Sequence, residues 1–356
     1  MMRFTRFAAL ATACAAFPVS LSPPKADAHI FGGAASPLLR RDKTPGPYLS
    51  RLILGVVALA LASATASPAL AHAVCGDRVF PATLVMDDPG VSDELSLPTI
   101  TYLPIPAANG NPGGHSIDYG FEFDKTITQD LGFAINDDYF TQHGVGQPNL
   151  KGWDNLTLTL KDKFLCIEPD ELMMSMGVIH EFAGTGSGLL RSAGVIDSVG
   201  STAPTWYVGK GLGDYPIGMF RPFGLTGELG YQISDTPSVS PHEWDYSASL
   251  QYSMPYMAQH VKALDIPDFL NHLVPLVEVS MSSPDRGPTT GQIAPGVIYL
   301  GNTFQVGVEA LIPADRASRQ LQGTGFIVQF HLFTDDLAYN TPIGRPLFNR
   351  NLWGSQ

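Results

Sequence analysis

Charged side chains are scarce in this sequence: 15% of its 356 residues, with 21 Lys and Arg against 33 Asp and Glu, for a formal net charge of −12. No basic cluster exists to neutralise a run of phosphates, which excludes a nucleic-acid partner. Long apolar runs are lacking too. None reaches the roughly 20 residues a helix needs to cross a bilayer, so a helical membrane protein is excluded. Motifs for chemistry are equally sparse. His180-Glu181 has no second His at helical spacing, and His115, His143, His242, His260, His272 and His331 show no ligand spacing. The Gly-rich stretches at 184–188 and 209–213 lack the Gly-Lys-Ser/Thr of a phosphate loop and read as loops. The acidic Asp87, Asp88, Asp93 and Glu94 lack the spacing of a calcium loop and read as a solvated segment. No catalytic residue, cofactor or metal site is expected.

The first residues carry export signals. Arg3 and Arg6 precede an apolar run and Ala26-Asp27-Ala28; a stronger signal starts near Arg51. Its h-region spans residues 52–61 and leads to small-x-small sites at Ala69-Leu70-Ala71 and Ala71-His72-Ala73. Two signals in series fit either a true start near Leu49 to Leu52 or one unusually long leader. The expected organisation is a leader over 1–73 with cleavage near 71–73, an N-terminal periplasmic segment over 74–94, a barrel over 95–333 and a tail over 334–356. Cys14 falls in the leader. Cys75 and Cys166 remain in an oxidising compartment, either as a disulfide or as two separate thiols.

Glycine (36) and proline (29) are plentiful and spread along the chain, as in an all-β protein with many turns. Apolar and polar residues alternate over long stretches. Trp244, Tyr246, Ala248, Leu250, Tyr252 and Met254 alternate with Asp245, Ser247, Ser249, Gln251 and Ser253; Leu225, Leu229, Tyr231 and Ile233 alternate with polar neighbours, as do Val306 and Val308, and Val328 and Phe330. Period two means a strand with one face of each kind. The expected strands are 95–103, 115–126, 130–139, 155–166, 171–183, 202–210, 219–234, 243–257, 269–281, 292–300, 303–312 and 323–333. Their polar face carries Ser, Thr, Gln and isolated carboxylates rather than the Lys and Glu of a solvated sandwich. Aromatic residues gather near strand ends, at Tyr139, Phe140, Trp153, Trp206, Tyr207, Phe220, Phe223, Trp244, Tyr256 and Tyr299, as interfacial girdles do. The fold class is therefore a single antiparallel transmembrane β-barrel of about twelve strands, all-β, behind an export signal.

Several stretches carry a resemblance: residues 74–84 (Val-Cys-Gly-Asp-Arg-Val-Phe-Pro-Ala-Thr-Leu), the acidic 87–94, Arg221-Pro222-Phe223, and 330–336 (Phe-His-Leu-Phe-Thr-Asp-Asp). In these the sequence resembles proteobacterial outer-membrane barrels related to those encoded with phenol meta-pathway genes, a transporter-like family. The resemblance implies a barrel and uptake of small aromatic or apolar compounds, and it assigns no residue.

A lumen is expected, because twelve strands exceed the eight-strand size that side chains alone can fill. Glu122, Asp124, Glu228, Asp245, Glu278 and Glu309 should point into it and favour cations. The partners are then outer-membrane lipid and a small-molecule solute. Two other readings stand beside the channel. One is a lipid-modifying barrel enzyme, with His180 and Glu181 as its best candidates; the other is a structural barrel with a plugged lumen.

Overall fold

The structure, a computed structural model, describes residues 73–107, 113–146, 148–192 and 199–348. The leader up to residue 72, with its h-region at 52–61 and the site at 69–71, lies outside the described residues, as do the last eight residues of the tail. A small hairpin, β1 (Ala73–Cys75) and β2 (Arg78–Phe80), comes first. The barrel begins with β3 (Glu94–Ile105), β4 (Gly114–Thr126), β5 (Leu131–Gly144), the short β6 (Leu150–Trp153), β7 (Thr157–Ile167) and β8 (Leu172–Glu181). It continues with β9 (Ser201–Gly211), β10 (Phe223–Ser234), β11 (Glu243–Tyr252), β12 (Leu273–Pro284), β13 (Thr290–Leu300), β14 (Phe304–Pro313) and β15 (Gly325–Phe333).

From β3 on, each strand pairs antiparallel with the next, β5 reaching past β6 to β7, and β15 pairs back onto β3 through Phe326↔Tyr102 to Phe333↔Glu94. Twelve strands thus close a barrel with no free edge, and β6 is an appendage on the far end of β5. Closure is what a membrane demands of β structure, since an open edge would leave backbone polar groups unpaired in hydrocarbon. Among the described residues no helix is long and apolar enough to cross a membrane.

The outward face is the apolar one. Leu225, Leu229, Leu250 and Val308 are each about 45% exposed, while Thr226, Glu228, Ser249 and Glu309 between them are buried. In water this arrangement would expose a continuous apolar belt at great cost; against lipid tails it is the stable one. Aromatic ladders bound the belt. At the end where β3 begins and β15 finishes, here the terminal end, Phe269, Tyr299, Phe304 and Phe330 stack in succession at 5.4, 6.0 and 5.9 Å. At the other end, Tyr102 pairs with Phe326 at 5.5 Å and Tyr231 with Trp244 at 4.7 Å. Two of the aromatics expected in the girdles lie elsewhere. Tyr207 is inward and 1% exposed, and Tyr256 is buried at the rim.

Three expected strands run too long, each for a local reason. Ser253 caps a helical turn, its hydroxyl accepting from the Tyr256 N–H at 3.2 Å with Pro255 in the first turn, so β11 stops at Tyr252 instead of Met257. A turn at Gly218–Phe220 before Pro222 delays the start of β10, and one at Asp268–Asn271 delays that of β12. The terminal end has tight turns at 127–130, 168–171 and 301–303, but also two long connections, 212–222 and 253–272. Long connections are therefore not confined to one end.

The last strand ends on Phe333, which points inward and is fully buried. The tail then folds back over the β4–β5 turn, where Leu347 and Phe348 donate their N–H groups to Thr126 and Ile127.

Candidate functional site

The segment before β3, expected to be solvated, is buried inside the barrel. The hairpin sits in the terminal mouth, the chain rises to mid-height at Leu84–Asp87, and it descends to the rim at Asp93. Its anchors are specific. Cys75 and Cys166 form a disulfide (S–S 2.07 Å) that ties the hairpin to β7. Arg78, 1% exposed, places Nε 3.2 Å from Glu171 Oε2 and donates to the carbonyls of Arg221 and Pro222. Its guanidinium lies 4.0 Å over the Tyr256 ring, and the Tyr256 hydroxyl donates to Glu171 at 2.7 Å. Burial lowers the Arg78 pKa from its ordinary value while Glu171 raises it; burial and the Glu171 contact push the Tyr256 hydroxyl up. At the other rim of the mouth Lys125 Nζ is 2.7 Å from Asp93, whose second oxygen accepts from the Thr126 N–H and hydroxyl.

At mid-height the segment divides the lumen in two. On the β12–β14 side the interior is solid. Leu84 and Val85 join Val274, Leu276, Ala294, Ile298 and Leu311 in one buried apolar cluster. The Glu278 carboxylate accepts from the N–H groups of Leu84 (3.1 Å) and Val85 (2.9 Å), and Gln305 donates to the Ala82 carbonyl at 2.5 Å. Glycine makes room: a Cβ at Gly307 would lie 2.4 Å from a Leu84 methyl, and one at Gly209 would lie 2.8 Å from Pro89. Inward residues of β12 and β13 therefore include apolar ones, Val274, Leu276, Ala294 and Ile298, beside polar Glu278 and Gln292, which departs from the expected uniformly polar lumen face.

The other half is hollow. An open cavity runs between the segment and the wall made by β15, β3, β4, β5 and β7. Its lining includes Asp124 near the terminal rim and Asp118 six residues further along β4, about 20 Å along the strand. A smaller space shares Asp87, Glu122 and Asn136 with it and continues to Asn155 and Thr157 near the far end. Seven carboxylates line the large cavity: Asp87, Asp88, Glu94, Asp118, Glu122, Asp124 and Asp138. Lys161 and His331 are the basic side chains in the same lining. Lys161 is committed to the segment, with Nζ 2.7 Å from Asp87 Oδ2 and 3.0 Å from the Asp88 carbonyl.

His331 is committed to the closing seam. Its Nδ1 lies 2.6 Å from Ser96 Oγ and its Nε2 lies 2.6 Å from Glu94 Oε2. Serine, histidine and carboxylate in a row resemble a hydrolytic triad. The Ser96 residue is only 2% exposed and lines the cavity together with Glu94 and His331; the chain links β15 to β3 beside their bulge and so ties the seam. The enzyme candidates named from sequence do not meet at all. His180 packs edge-on against Phe182 and contacts Thr202, whereas Glu181 is buried on the opposite face with Asn155.

The six carboxylates singled out from sequence separate into groups. Glu122 and Asp124 line the cavity. Glu228 meets the Asp87 N–H at 3.5 Å, and Glu278 and Glu309 lie in the solid half. Asp245 sits on β11, paired in register with Gly230 and Ser282 and outside the cavity lining. Sequence reasoning missed Asp118 and Asp138 as members of the cavity. Its period-two pattern identified strand faces, but it carried no sign of which inward residues a luminal segment would cover.

No family model and no curated protein matches the sequence. Among solved structures, an outer-membrane channel from Pseudomonas putida F1 aligns at 12% identity over 72% of this chain and 99% of that one, with a TM-score of 0.44. The KdgM porin in complex with disordered oligogalacturonate aligns at 11% identity over 66% and 98%, with a TM-score of 0.37. The translocator domain of the autotransporter NalP from Neisseria meningitidis aligns at 10% identity over 80% and 95%, with a TM-score of 0.33.

Proposed function

We propose that this chain is an outer-membrane channel in which small solutes pass beside a fixed luminal segment. The hollow, acidic half of the lumen carries this reading: it extends along about 20 Å of wall at strand rise, next to a half that is packed solid. A purely structural barrel would gain nothing from keeping charged side chains around an empty volume, since buried charge is costly without water or a ligand. The fixed segment narrows the passage, so flux should be confined to small molecules. Liposomes containing the refolded protein should swell in small polyols and amino acids but not in trisaccharides. Absence of swelling in every solute would reject the channel and leave a closed barrel.

Delivery to the outer membrane requires export, for which the h-region at 52–61 and the small-x-small sites are the support in the sequence. N-terminal sequencing of protein taken from membranes should give a start between His72 and Asp77. A start near His29 would assign export to the first signal instead. A start from His72 to Cys75 keeps Cys75 close to the new terminus, where the disulfide to Cys166 secures a segment that would otherwise fray.

A further inference from the structure

We propose that the hollow half of the lumen is a binding site for organic cations, amines or quaternary ammonium ions with an apolar body, and that it sets the solute the channel prefers. This rests on the channel reading for its physiological meaning, but the site itself is a property of the wall.

Charge is the first observation. Seven carboxylates face one cavity whose basic groups are already engaged, Lys161 by Asp87 and His331 by Glu94. Within low-dielectric walls such a field concentrates cations and repels anions. Hydrogen-bonding capacity is the second, independent observation. Gln329 is 9% exposed and lines the cavity; its Nε2 reaches Thr99 at 3.3 Å, while its Oε1 has no partner. Asn136 Oδ1, in the same lining, is also buried without a partner. Both are acceptors. The site therefore offers acceptors and negative charge, and an occupant has to bring donors or positive charge.

Shape and spread decide between a metal ion and an organic cation. Among the described residues no three of His, Cys, Asp and Glu converge closely enough to hold one metal ion. The carboxylates are instead distributed over β3, β4, β5 and the luminal segment, as suits a larger cation. Inward Gly120 and Ala134 keep the wall thin, and Leu84, Met86 and Val91 give the segment side an apolar surface.

The test is binding, measured apart from flux. The full chain in detergent is titrated calorimetrically with benzyltrimethylammonium, benzyl alcohol and benzoate, which share an aromatic body and differ in charge. Saturable binding of the cation is expected, at least about tenfold tighter than the alcohol, with none for benzoate and with weakening as salt rises. Glu122→Gln combined with Asp124→Asn should weaken cation binding by about tenfold or more while the barrel keeps its heat-modifiable migration. Equal binding of cation and alcohol, or cation binding unmoved in the folded double variant, would overturn the proposal. The three-ligand comparison on the unaltered protein decides by itself if that variant fails to fold. Binding without liposome swelling would keep the site and reject the channel; swelling without binding would do the reverse.

Discussion

Arg78→Ala should cost the barrel about 3–5 kcal/mol, because it strands the buried Glu171 carboxylate without its cation. The residue is 1% exposed and Glu171 4%, so solvent does little to screen the pair. The same change removes two hydrogen bonds to the carbonyls of Arg221 and Pro222 and the contact with the Tyr256 ring. All of these hold the mouth of the luminal segment. Loss of stability should therefore come with a functional sign, larger and noisier conductance as the segment loosens. Reduction of Cys75–Cys166 in the variant should add to the effect, since the disulfide is the remaining covalent tie on the hairpin. Urea unfolding and single-channel recording check the two parts. A stable variant with unchanged conductance would mean that the hairpin is held elsewhere.

Val328→Arg is the second large effect. Val328 points outward in the middle of β15, where it pairs with Val308 and Ile100 on the neighbouring strands. An arginine at the bilayer midplane costs about 2–4 kcal/mol. Its neighbour Gln329 points into the acidic cavity, so Gln329→Arg meets carboxylates and should be tolerated far better. Val306→Arg should resemble Val328→Arg, as Val306 is likewise outward. Gln305→Arg is not an innocent control, although it shares the inward face. Gln305 is fully buried and donates to the Ala82 carbonyl, so a larger side chain there displaces the luminal segment. Folding yields into lipid vesicles measure the contrast. Equal yields for Val328→Arg and Gln329→Arg would reject the register.

These two predictions mark how much was legible in the sequence. Strand alternation is local, and an outward Val328 beside an inward Gln329 follows from a period of two. Number of strands, closure and the lipid-facing side come from the same signal repeated twelve times. The luminal segment is different. Residues 81–92 have no period, and the acidic Asp87, Asp88 and Asp93 look like a solvated stretch. Their partners, Lys161 and Lys125, lie 74 and 32 residues further on from Asp87 and Asp93. Long-range pairing of that kind leaves no trace in a window of neighbours. The disulfide was open for the same reason: two cysteines 91 residues apart give no distance until the fold brings their Cα atoms to 5.8 Å. The six inward carboxylates were visible as a class, but their roles were assigned by the segment, which covers Glu278 and leaves Glu122 facing the cavity. In the seam, Ser96, His331 and Glu94 come together only because β15 closes on β3.

The most direct test of a solute path lined by carboxylates beside the fixed segment is the reversal potential of the refolded protein in a planar bilayer under a salt gradient. A path past Glu122, Asp124, Asp118 and Asp138 should prefer cations, with the preference shrinking as salt shortens the screening length from about 10 Å at 0.1 M to about 3 Å at 1 M. Glu122→Gln with Asp124→Asn should move the reversal potential toward zero. Anion preference, or a cation preference that this pair of substitutions leaves unchanged, would show that ions do not travel through the acidic half of the lumen.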